Sequence, residues 1–305
     1  KIKLMQNKIN QNYDIRGLKF LKNTDINFFY DAKKLDQLEQ ISKPIGKVNQ
    51  KAVKLFKEDY KKIDKLPFEI SPQEKHFLEK NDLETHFGYL VYRYEFKVFP
   101  KKKIDSSFPC YVLIEPVSSC NLKCGMCFQS DKTFIKKEFM GKMDVDLYKK
   151  IIDECSSEGT KAITFGSRGE PTIHQNFKDF IDYANNKFMD IKIITNATKL
   201  DEELIHKIFQ SNVSQVTFSI DSEKKDEYEQ IRKFGKFDEV LRNVQNYNKI
   251  KEQYKHCKTT TRISGVKVQD TQDPKSFTSF WSKYADEIVM KPAYERWNTY
   301  TNEKN

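Results

Sequence analysis

The sequence predicts an α/β fold, a partial (β/α)6 TIM-like barrel that follows a mainly helical N-terminal extension. From about residue 111 to residue 295, short apolar runs alternate with amphipathic runs in which apolar residues recur every three or four positions. Strands that alternate with helices pair in parallel through right-handed crossovers. Because a closed TIM barrel needs about eight such units, six of them predict an open barrel.

The six predicted strands are short apolar runs rich in the residue types that favour extended structure. In chain order they are 111–116, 161–165, 191–195, 213–220, 260–268 and 287–290. The carboxyl ends of parallel strands meet at one edge of a barrel, where barrel active sites are built. We therefore expect the motifs that follow these strands to converge.

The helices between the strands are predicted from apolar stripes with helical spacing. Asp144 and Asp201 are predicted N-caps, since a carboxylate there can accept the free amide protons of the first turn. The stripes are Tyr148, Ile151, Ile152 and Cys155, then Phe177, Phe180, Ile181 and Ala184, then Leu204, Ile205, Ile208 and Phe209. Helical runs at 239–254 and 277–284 complete the alternation.

The first hundred residues have a different pattern. Apolar residues before and after Pro44 and Gly46 predict short helices that are interrupted there. The aromatic-rich run 86–99 predicts an extended strand or hairpin, because aromatic residues favour strands. We place the extension at 1–106, the barrel at 107–296, and a tail or the start of a further extension at 297–305. The extension carries no catalytic motif, and a cap or a partner-contact segment is the expected role.

Composition excludes several classes of protein. Hydrophobic residues make up 38% and charged residues 32% of the 305, which is typical of a globular chain and not of a disordered one. No apolar run approaches the about 20 residues that span a bilayer, and no signal peptide is visible at the start. Six cysteines without a pairing pattern favour a reducing compartment. We expect a cytoplasmic protein without a membrane partner.

The net charge of +10 raises the question of nucleic-acid binding. The lysines are scattered, as in Lys61-Lys62 and Lys101-Lys102-Lys103, which is typical of a solvated surface. An anionic small substrate would be favoured by the same charge. We expect no nucleic-acid partner.

Three cysteines, Cys120, Cys124 and Cys127, follow the first predicted strand with C-x3-C-x2-C spacing. Three thiolates this close can hold three corners of a four-iron, four-sulfur cube and leave the fourth iron open. The alternatives are a structural zinc site or unrelated buried thiols. Zinc sites commonly use four ligands in two paired knuckles, and the sequence has no second knuckle.

This loop resembles the signature of the radical S-adenosylmethionine (SAM) superfamily, with Met126 where many members have an aromatic residue. The resemblance implies a [4Fe-4S] cluster whose open iron is chelated by SAM. It also implies reductive cleavage of SAM to a 5′-deoxyadenosyl radical that abstracts hydrogen from a substrate. An external one-electron reductant such as flavodoxin or ferredoxin is then expected.

Two further motifs are similar to SAM-binding motifs of that superfamily. Gly169 and Glu170, after the second strand, resemble the GGEP motif, whose backbone and glutamate grip the methionine ammonium. Arg168, beside them, is a position that could touch substrate. Asn196, after the third strand, resembles the TNG turn and would point into the barrel mouth. Taken alone, these segments would be ordinary strand–helix turns.

The later strands carry the rest of the predicted SAM site. Ser219 and Arg232 resemble the family pattern that holds the SAM carboxylate, for which a guanidinium fork is suited. A surface salt bridge is the alternative for Arg232. Ile263 and Gly265 of the fifth strand could lay their backbone against adenine. Arg262 could face the mouth or be solvated.

The segment around Trp297 resembles the junction at which SPASM-related members begin an extension that binds auxiliary clusters. No cysteine follows Cys257, so either one cluster suffices or the sequence stops before that extension. The same segment is similar to enzymes of surface-carbohydrate pathways, so we expect a sugar or sugar nucleotide as substrate. A ribosomally made peptide, docked by the extension, and RNA base modification are the alternatives.

Overall fold

The computed structural model describes residues 19–20, 32–63 and 65–293. The ten helices in this part are α1 Ala32–Ile41, α2 Gln50–Ile63, α3 Pro72–Lys80, α4 Leu83–Lys102, α5 Val145–Glu158, α6 Phe177–Ala184, α7 Glu202–Gln210, α8 Lys225–Ile231, α9 Phe237–Lys251 and α10 Pro274–Trp281. The strands in this part are β1 Lys19–Phe20, β2 Tyr111–Ile114, β3 Lys123–Cys124, β4 Ala162–Phe165, β5 Asp190–Thr195, β6 Gln215–Ser219, β7 Arg232–Lys233, β8 Thr260–Lys267 and β9 Glu287–Pro292. None of the helices described is long and apolar enough to cross a bilayer.

The main sheet confirms the predicted barrel strands. Its order is β1-β9-β8-β6-β5-β4-β2, and every pair from β9 to β2 is parallel. The two-residue β1 joins β9 antiparallel at one edge. The short strands β3 and β7 form a separate antiparallel pair, which the sequence did not indicate.

The two faces of the sheet differ in chemistry because side chains alternate along each strand. One face packs under the helices and is apolar and buried, with Ile114, Phe165, Ile193, Val216, Phe218, Ile263 and Ile288 in the core. The opposite face is the inner face. It consists of two rows of cross-strand neighbours, Leu113–Thr164–Lys192–Gln215 and Ile194–Thr217–Arg262–Glu287. Six of these eight side chains are polar or charged, so the barrel has a largely polar lining.

The predicted caps and stripes of the barrel helices are present. Asp144 accepts a hydrogen bond from the Leu147 amide at 2.9 Å, and Asp201 from the Leu204 amide at 2.8 Å. Most residues of the three predicted stripes are buried, and Cys155 is in the core as expected. These positions were predictable because capping and amphipathic spacing act within about two turns.

The prediction for residues 86–99 was wrong, since they lie inside the 20-residue helix α4. Ten side chains of α4 are buried, distributed around the helix axis. They pack with the other helices of the extension and with Ala162 and Met189 of the barrel in a second core. A helix buried on most sides lacks the one-sided stripe that identifies surface helices, and tertiary burial outweighed the strand preference of its aromatic residues.

The extension lies against the amino-terminal ends of the barrel strands. Lys161, next to the start of β4, donates from Nζ to the carbonyl oxygens of Ile45 at 2.6 Å and Lys47 at 2.7 Å. The cysteine loop follows β2 at the other edge of the sheet. The proposed boundary near residue 106 falls between α4 and β2 and stays a prediction, and the predicted tail 297–305 lies outside the described residues.

Candidate functional site

The cysteine loop is tied to the segment that follows α8. Cys124 lies in β3, where it is the backbone neighbour of Arg232 in β7. The Gly125 amide donates to the Ile231 carbonyl at 3.4 Å, and the Cys127 amide to the Cys124 carbonyl at 3.0 Å. This pairing brings Arg232 beside the cysteines although more than 100 residues separate them.

Hydrogen-bond donors point at one of the sulfurs. Cys120 Sγ accepts from the Leu122 amide at 3.4 Å and from Asn196 Nδ2 at 3.7 Å. Burial raises the pKa of Cys120, and raises the pKa of Cys124 to about 11. N–H donors stabilise a sulfur that carries negative charge, and such bonds are a feature of cluster-ligating thiolates.

The chemistry of the three loop thiols fits a cluster. All three loop cysteines are free thiols. Across residues 19–20, 32–63 and 65–293, no three His, Cys, Asp or Glu side chains converge on one metal position. In a cubane each cysteine sulfur binds a different iron, so the sulfurs need not converge on one point. Three free thiols on one loop, with N–H donors beside Cys120, are a suitable set of ligands for three corners of a [4Fe-4S] cluster.

Position 169 requires glycine because the backbone before the cysteine loop approaches it closely. A Cβ on this residue would lie 1.8 Å from the Val117 carbonyl oxygen and 2.6 Å from that of Ser119. The next amide, of Glu170, donates to the Ser119 carbonyl at 3.0 Å. The turn after β4 therefore lies directly against the chain that leads into Cys120.

The carboxylate of Glu170 is buried and organises the neighbouring turn. It accepts hydrogen bonds from Thr195 Oγ1 at 2.6 Å, the Asn196 amide at 2.6 Å and Thr172 Oγ1 at 2.7 Å. Burial raises the pKa of Glu170, against the lowering effect of these hydrogen bonds. The protein contacts of this side chain are those of a positioning residue. Direct contact with a methionine ammonium stays a prediction.

Asn196 joins the turn after β5 to the cysteine loop. Its Nδ2 donates to Asn121 Oδ1 at 2.9 Å, and its Oδ1 accepts from the Thr198 amide at 3.0 Å. Asn121 Nδ2 donates in turn to Thr198 Oγ1 at 2.7 Å. Sequence reasoning missed Asn121, and its position directly after Cys120 was the signal that could have found it.

Arg232 forms a buried ion pair and not a surface one. Its Nε donates to Asp221 Oδ2 at 2.6 Å, and the two residues are 8% and 0% exposed. Asp221 Oδ1 also accepts from the Val266 amide at 2.8 Å, which links the pair to β8. Asp221 was not among the predicted site residues, although it belongs to the Ser-Ile-Asp run that ends β6.

The remaining predicted residues lie at the ends of β6 and β8. Ser219 is the last residue of β6 and is the cross-strand neighbour of Ser264. A Cβ on Gly265 would lie 2.8 Å from the Ile220 carbonyl oxygen, so glycine permits a close approach there. The side chain of Ile263 is fully buried in the core, which leaves its backbone as the part that a ligand could contact.

Arg168 is held by Glu115 at the end of β2. Its Nη2 donates to Glu115 Oε1 at 2.6 Å, and its backbone amide donates to Glu115 Oε2 at 2.9 Å. The preceding Ser167 has a φ of 98°, a left-handed conformation that costs a non-glycine residue free energy. The fork-to-carboxylate pair holds this strained turn beside the cysteine loop.

Residues 114–280, more than half of the chain, match the family described as the Radical SAM superfamily. A segment of 112 residues is 36% identical to the tungsten-containing aldehyde ferredoxin oxidoreductase cofactor-modifying protein of Pyrococcus furiosus and covers 36% of this chain and 30% of that protein. A segment of 156 residues is 30% identical to the cysteine-type anaerobic sulfatase-maturating enzyme of Clostridium novyi and covers 47% of this chain and 41% of that enzyme. The matches thus span less than half of the length of these relatives.

Among solved structures, the chain is similar in fold to Streptococcus suis SuiB bound to precursor peptide SuiA. The TM-score is 0.53 at 17% identity, over 81% of this chain and 52% of that one.

Proposed function

This chain belongs to the radical SAM superfamily, and we propose that it abstracts a hydrogen atom from a biosynthetic substrate, most suitably a sugar or sugar nucleotide. Its cofactors are those of the superfamily, a [4Fe-4S] cluster and SAM. When bound and reduced by one electron from a donor such as flavodoxin or ferredoxin, this pair supplies a 5′-deoxyadenosyl radical. The observation that carries the proposal is that the turns after β4 and β5 and the Asp221–Arg232 pair are all joined to one cysteine loop by hydrogen bonds or strand pairing.

In this proposal the residues have separate tasks. Cys120, Cys124 and Cys127 hold three irons and leave one open for SAM. The turn at Gly169, which lies against the chain that leads into Cys120, is assigned to the methionine part of SAM. Glu170 orients the turn that contains Asn196 through the hydrogen bonds given above.

Arg232 is suited to a carboxylate because a guanidinium has five N–H donors in a planar fork and Asp221 engages its Nε. Ser219 at the end of β6 is assigned to the same carboxylate. Backbone groups of Ile263 and Gly265 are assigned to the adenine. Buried Asp221 keeps the Arg232 fork in place through its second bond to β8.

The polar inner face supports a hydrophilic small substrate. Threonine, glutamine and charged side chains line it, while the opposite face of the same sheet is apolar. A sugar or sugar nucleotide offers many hydroxyl or phosphate groups to such a lining. Oxidation, dehydration and epimerisation are all compatible outcomes of hydrogen abstraction from a sugar carbon.

Modification of a ribosomally made peptide is the second candidate. It is supported by the relative named as a sulfatase-maturating enzyme, at 30% identity over 156 residues. In that case the helical extension would be the peptide dock.

The first experiment is anaerobic reconstitution followed by incubation with SAM and dithionite. We expect about four irons per chain and formation of 5′-deoxyadenosine. Cys124→Ala should abolish both signals, whereas Cys257→Ala, next to the amino-terminal end of β8, should abolish neither. Iron content far below one cubane, or no 5′-deoxyadenosine from the native chain, would contradict the proposal.

The second experiment identifies the substrate class. The reconstituted enzyme is incubated with deuterated sugar nucleotides or with deuterated candidate peptides, and 5′-deoxyadenosine is analysed by mass spectrometry. Deuterium transfer from a sugar carbon supports the first candidate, and transfer from a peptide supports the second.

A further inference from the structure

The inner face carries two cations, in adjoining rows of the register and on strands β5 and β8, which are separated by β6. Arg262 of β8 lies between Thr217 of β6 and Glu287 of β9. Lys192 of β5 is the neighbour of Gln215 in the adjoining row. All of these side chains lie on one face, because each pair is directly opposed across neighbouring strands.

Two of these groups contain buried atoms without a protein partner. In the described part of the chain, Arg262 Nε and Glu287 Oε1 are buried and have no hydrogen-bond partner. Glu287 is 1% exposed, and its other oxygen accepts only long bonds, from Gln73 at 3.3 Å and from Gln215 at 3.4 Å. A buried polar atom without a partner costs about 1–3 kcal/mol, so these two atoms are suited to a group that the chain itself does not supply.

The inner face is open on the side of the cysteine loop. Ile194, the neighbour of Thr217 near the carboxyl end of β5, is 39% exposed although it lies in a central strand. Leu113 on β2 is 48% exposed. The Lys192 side chain is 31% exposed, and its Nζ lies 3.0 Å from Asp190 Oδ2. Along the row from Ile194 to Glu287 exposure therefore falls, as in a cleft that narrows inward, whereas Lys192 lines a pocket with Asp190, Gln215 and Gln73 at the amino-terminal ends of the strands.

We propose that Arg262 and Lys192 bind an anionic oxygen group of the substrate, a carboxylate or a phosphate, on the inner face. This rests on the proposed function, since the cleft opens to the edge where SAM is assigned. A guanidinium binds such groups through paired N–H donors, and the ammonium of Lys192 has three donors, of which one suffices for Asp190.

Glu287 adds a donor to the same subsite. Burial raises its pKa to about 7, against the lowering effect of Arg262 and Lys192. A carboxyl group with this pKa is partly protonated near neutral pH and can then donate to a second oxygen of the anion. Oε1 is therefore suited to the anion that Arg262 neutralises.

The test measures anion binding to the reconstituted enzyme by isothermal titration calorimetry, with inorganic phosphate in one arm and succinate in the other. We expect saturable binding of at least one probe. Arg262→Gln should weaken it by about tenfold or more, because a hydrogen bond to a charged group is lost, and Arg262→Lys by less. Arg242→Gln, on the exposed side of α9, is the matched control and should bind as the native enzyme does.

A second variant leaves Arg262 in place. Ile194→Glu adds a negative charge at an exposed position of the cleft and should also weaken phosphate or succinate binding by repulsion. Leu147→Glu, 46% exposed on α5, adds the same charge away from the inner face and should have no effect. Circular dichroism and thermal unfolding establish that each variant is folded.

The outcomes separate the subsite from the proposed function. Binding of phosphate alone identifies a phosphate subsite, and binding of succinate alone a carboxylate subsite. Absence of saturable binding, or equal binding by the Arg262→Gln and Arg242→Gln enzymes, overturns the subsite even when the native enzyme forms 5′-deoxyadenosine. Absence of 5′-deoxyadenosine would instead contradict the proposed radical function. The calorimetric result would still show whether the anion subsite exists.

Discussion

The guanidinium of Arg232 donates to the carboxylate of Asp221 at 2.6 Å inside the protein, directly beside Cys124 in the β3–β7 pair. Since both side chains are buried, each compensates the cost of burying the other. The pair connects three distant parts of the chain: the cysteine loop, the end of β6 and strand β8. Its integrity is thus expected to determine both stability and the shape of the site.

Asp221→Asn should destabilise the protein by about 3 kcal/mol or more, because Arg232 would remain buried without a counter-charge. Urea denaturation monitored by circular dichroism measures the free energy of unfolding. Asp238→Asn removes a carboxylate from an exposed pair with Lys225 and should leave that free energy unchanged. Equal stability of the two variants would mean that the buried pair has no special role.

Gly169→Ala should reduce cluster incorporation while the barrel remains folded. The added methyl group would overlap the carbonyl oxygens of Val117 and Ser119, so the chain that leads into Cys120 must move. Iron content and visible absorption after reconstitution measure the loss. Gly141→Ala is the control, because a Cβ there meets nothing within 4 Å. Native iron content in the Gly169→Ala protein would show that the turn tolerates the displacement.

Glu170→Gln should weaken SAM binding by roughly tenfold. The Thr195 hydroxyl and the Asn196 amide each donate to a different oxygen of Glu170, and the glutamine side chain keeps only one acceptor oxygen. The turn that holds Asn196 would then shift relative to the cysteine loop. Equilibrium dialysis of labelled SAM against the reconstituted enzyme gives the dissociation constant. Glu203→Gln, on an exposed position of α7, should bind SAM as the native enzyme does. An unchanged constant for Glu170→Gln would remove this residue from the site.

Glu74 should make stability depend on pH in the acid range. Burial opposes its ionisation, but Arg93 and Lys97 outweigh burial and hold its pKa below the ordinary 4.5. A depressed carboxyl pKa stabilises the folded state above about pH 4.5, and this stabilisation is lost as pH falls through the folded-state pKa. Glu74→Gln should therefore cost about 3 kcal/mol at neutral pH, and the difference from the native protein should shrink at low pH.

Unfolding free energies at several pH values test this prediction. Glu84→Gln, which alters an exposed pair with Lys43, is the control and should follow the native curve. A difference between Glu74→Gln and the native protein that stays constant down to low pH would exclude the proposed linkage.

Local patterns made most of the barrel predictable. The apolar runs of the strands, the caps Asp144 and Asp201, and the stripe that buries Cys155 were all correct because they depend on residues a few positions apart. The helix α4 was not predictable in this way, since its burial on most sides removes the periodic signal. The aromatic residues of this segment favour a strand, but its burial against the other helices of the extension favours a helix and outweighs that preference.

The partners within the site depended on contacts between distant segments. Glu115 meets Arg168 because the ends of the neighbouring strands β2 and β4 adjoin, and Asn121 meets Asn196 because the cysteine loop after β2 reaches the turn after β5, two strands away. No spacing within either segment specifies such a meeting.

By itself, the sequence determined the order of the six parallel barrel strands, the three-cysteine loop and the superfamily that this loop resembles. The tertiary structure alone decided that Arg232 is buried against Asp221 and that Arg262 lies beside Glu287. The physical reason is that hydrophobic periodicity and capping are encoded locally, whereas the pairing of charged side chains follows from strand register, which is set by the packing of the whole sheet.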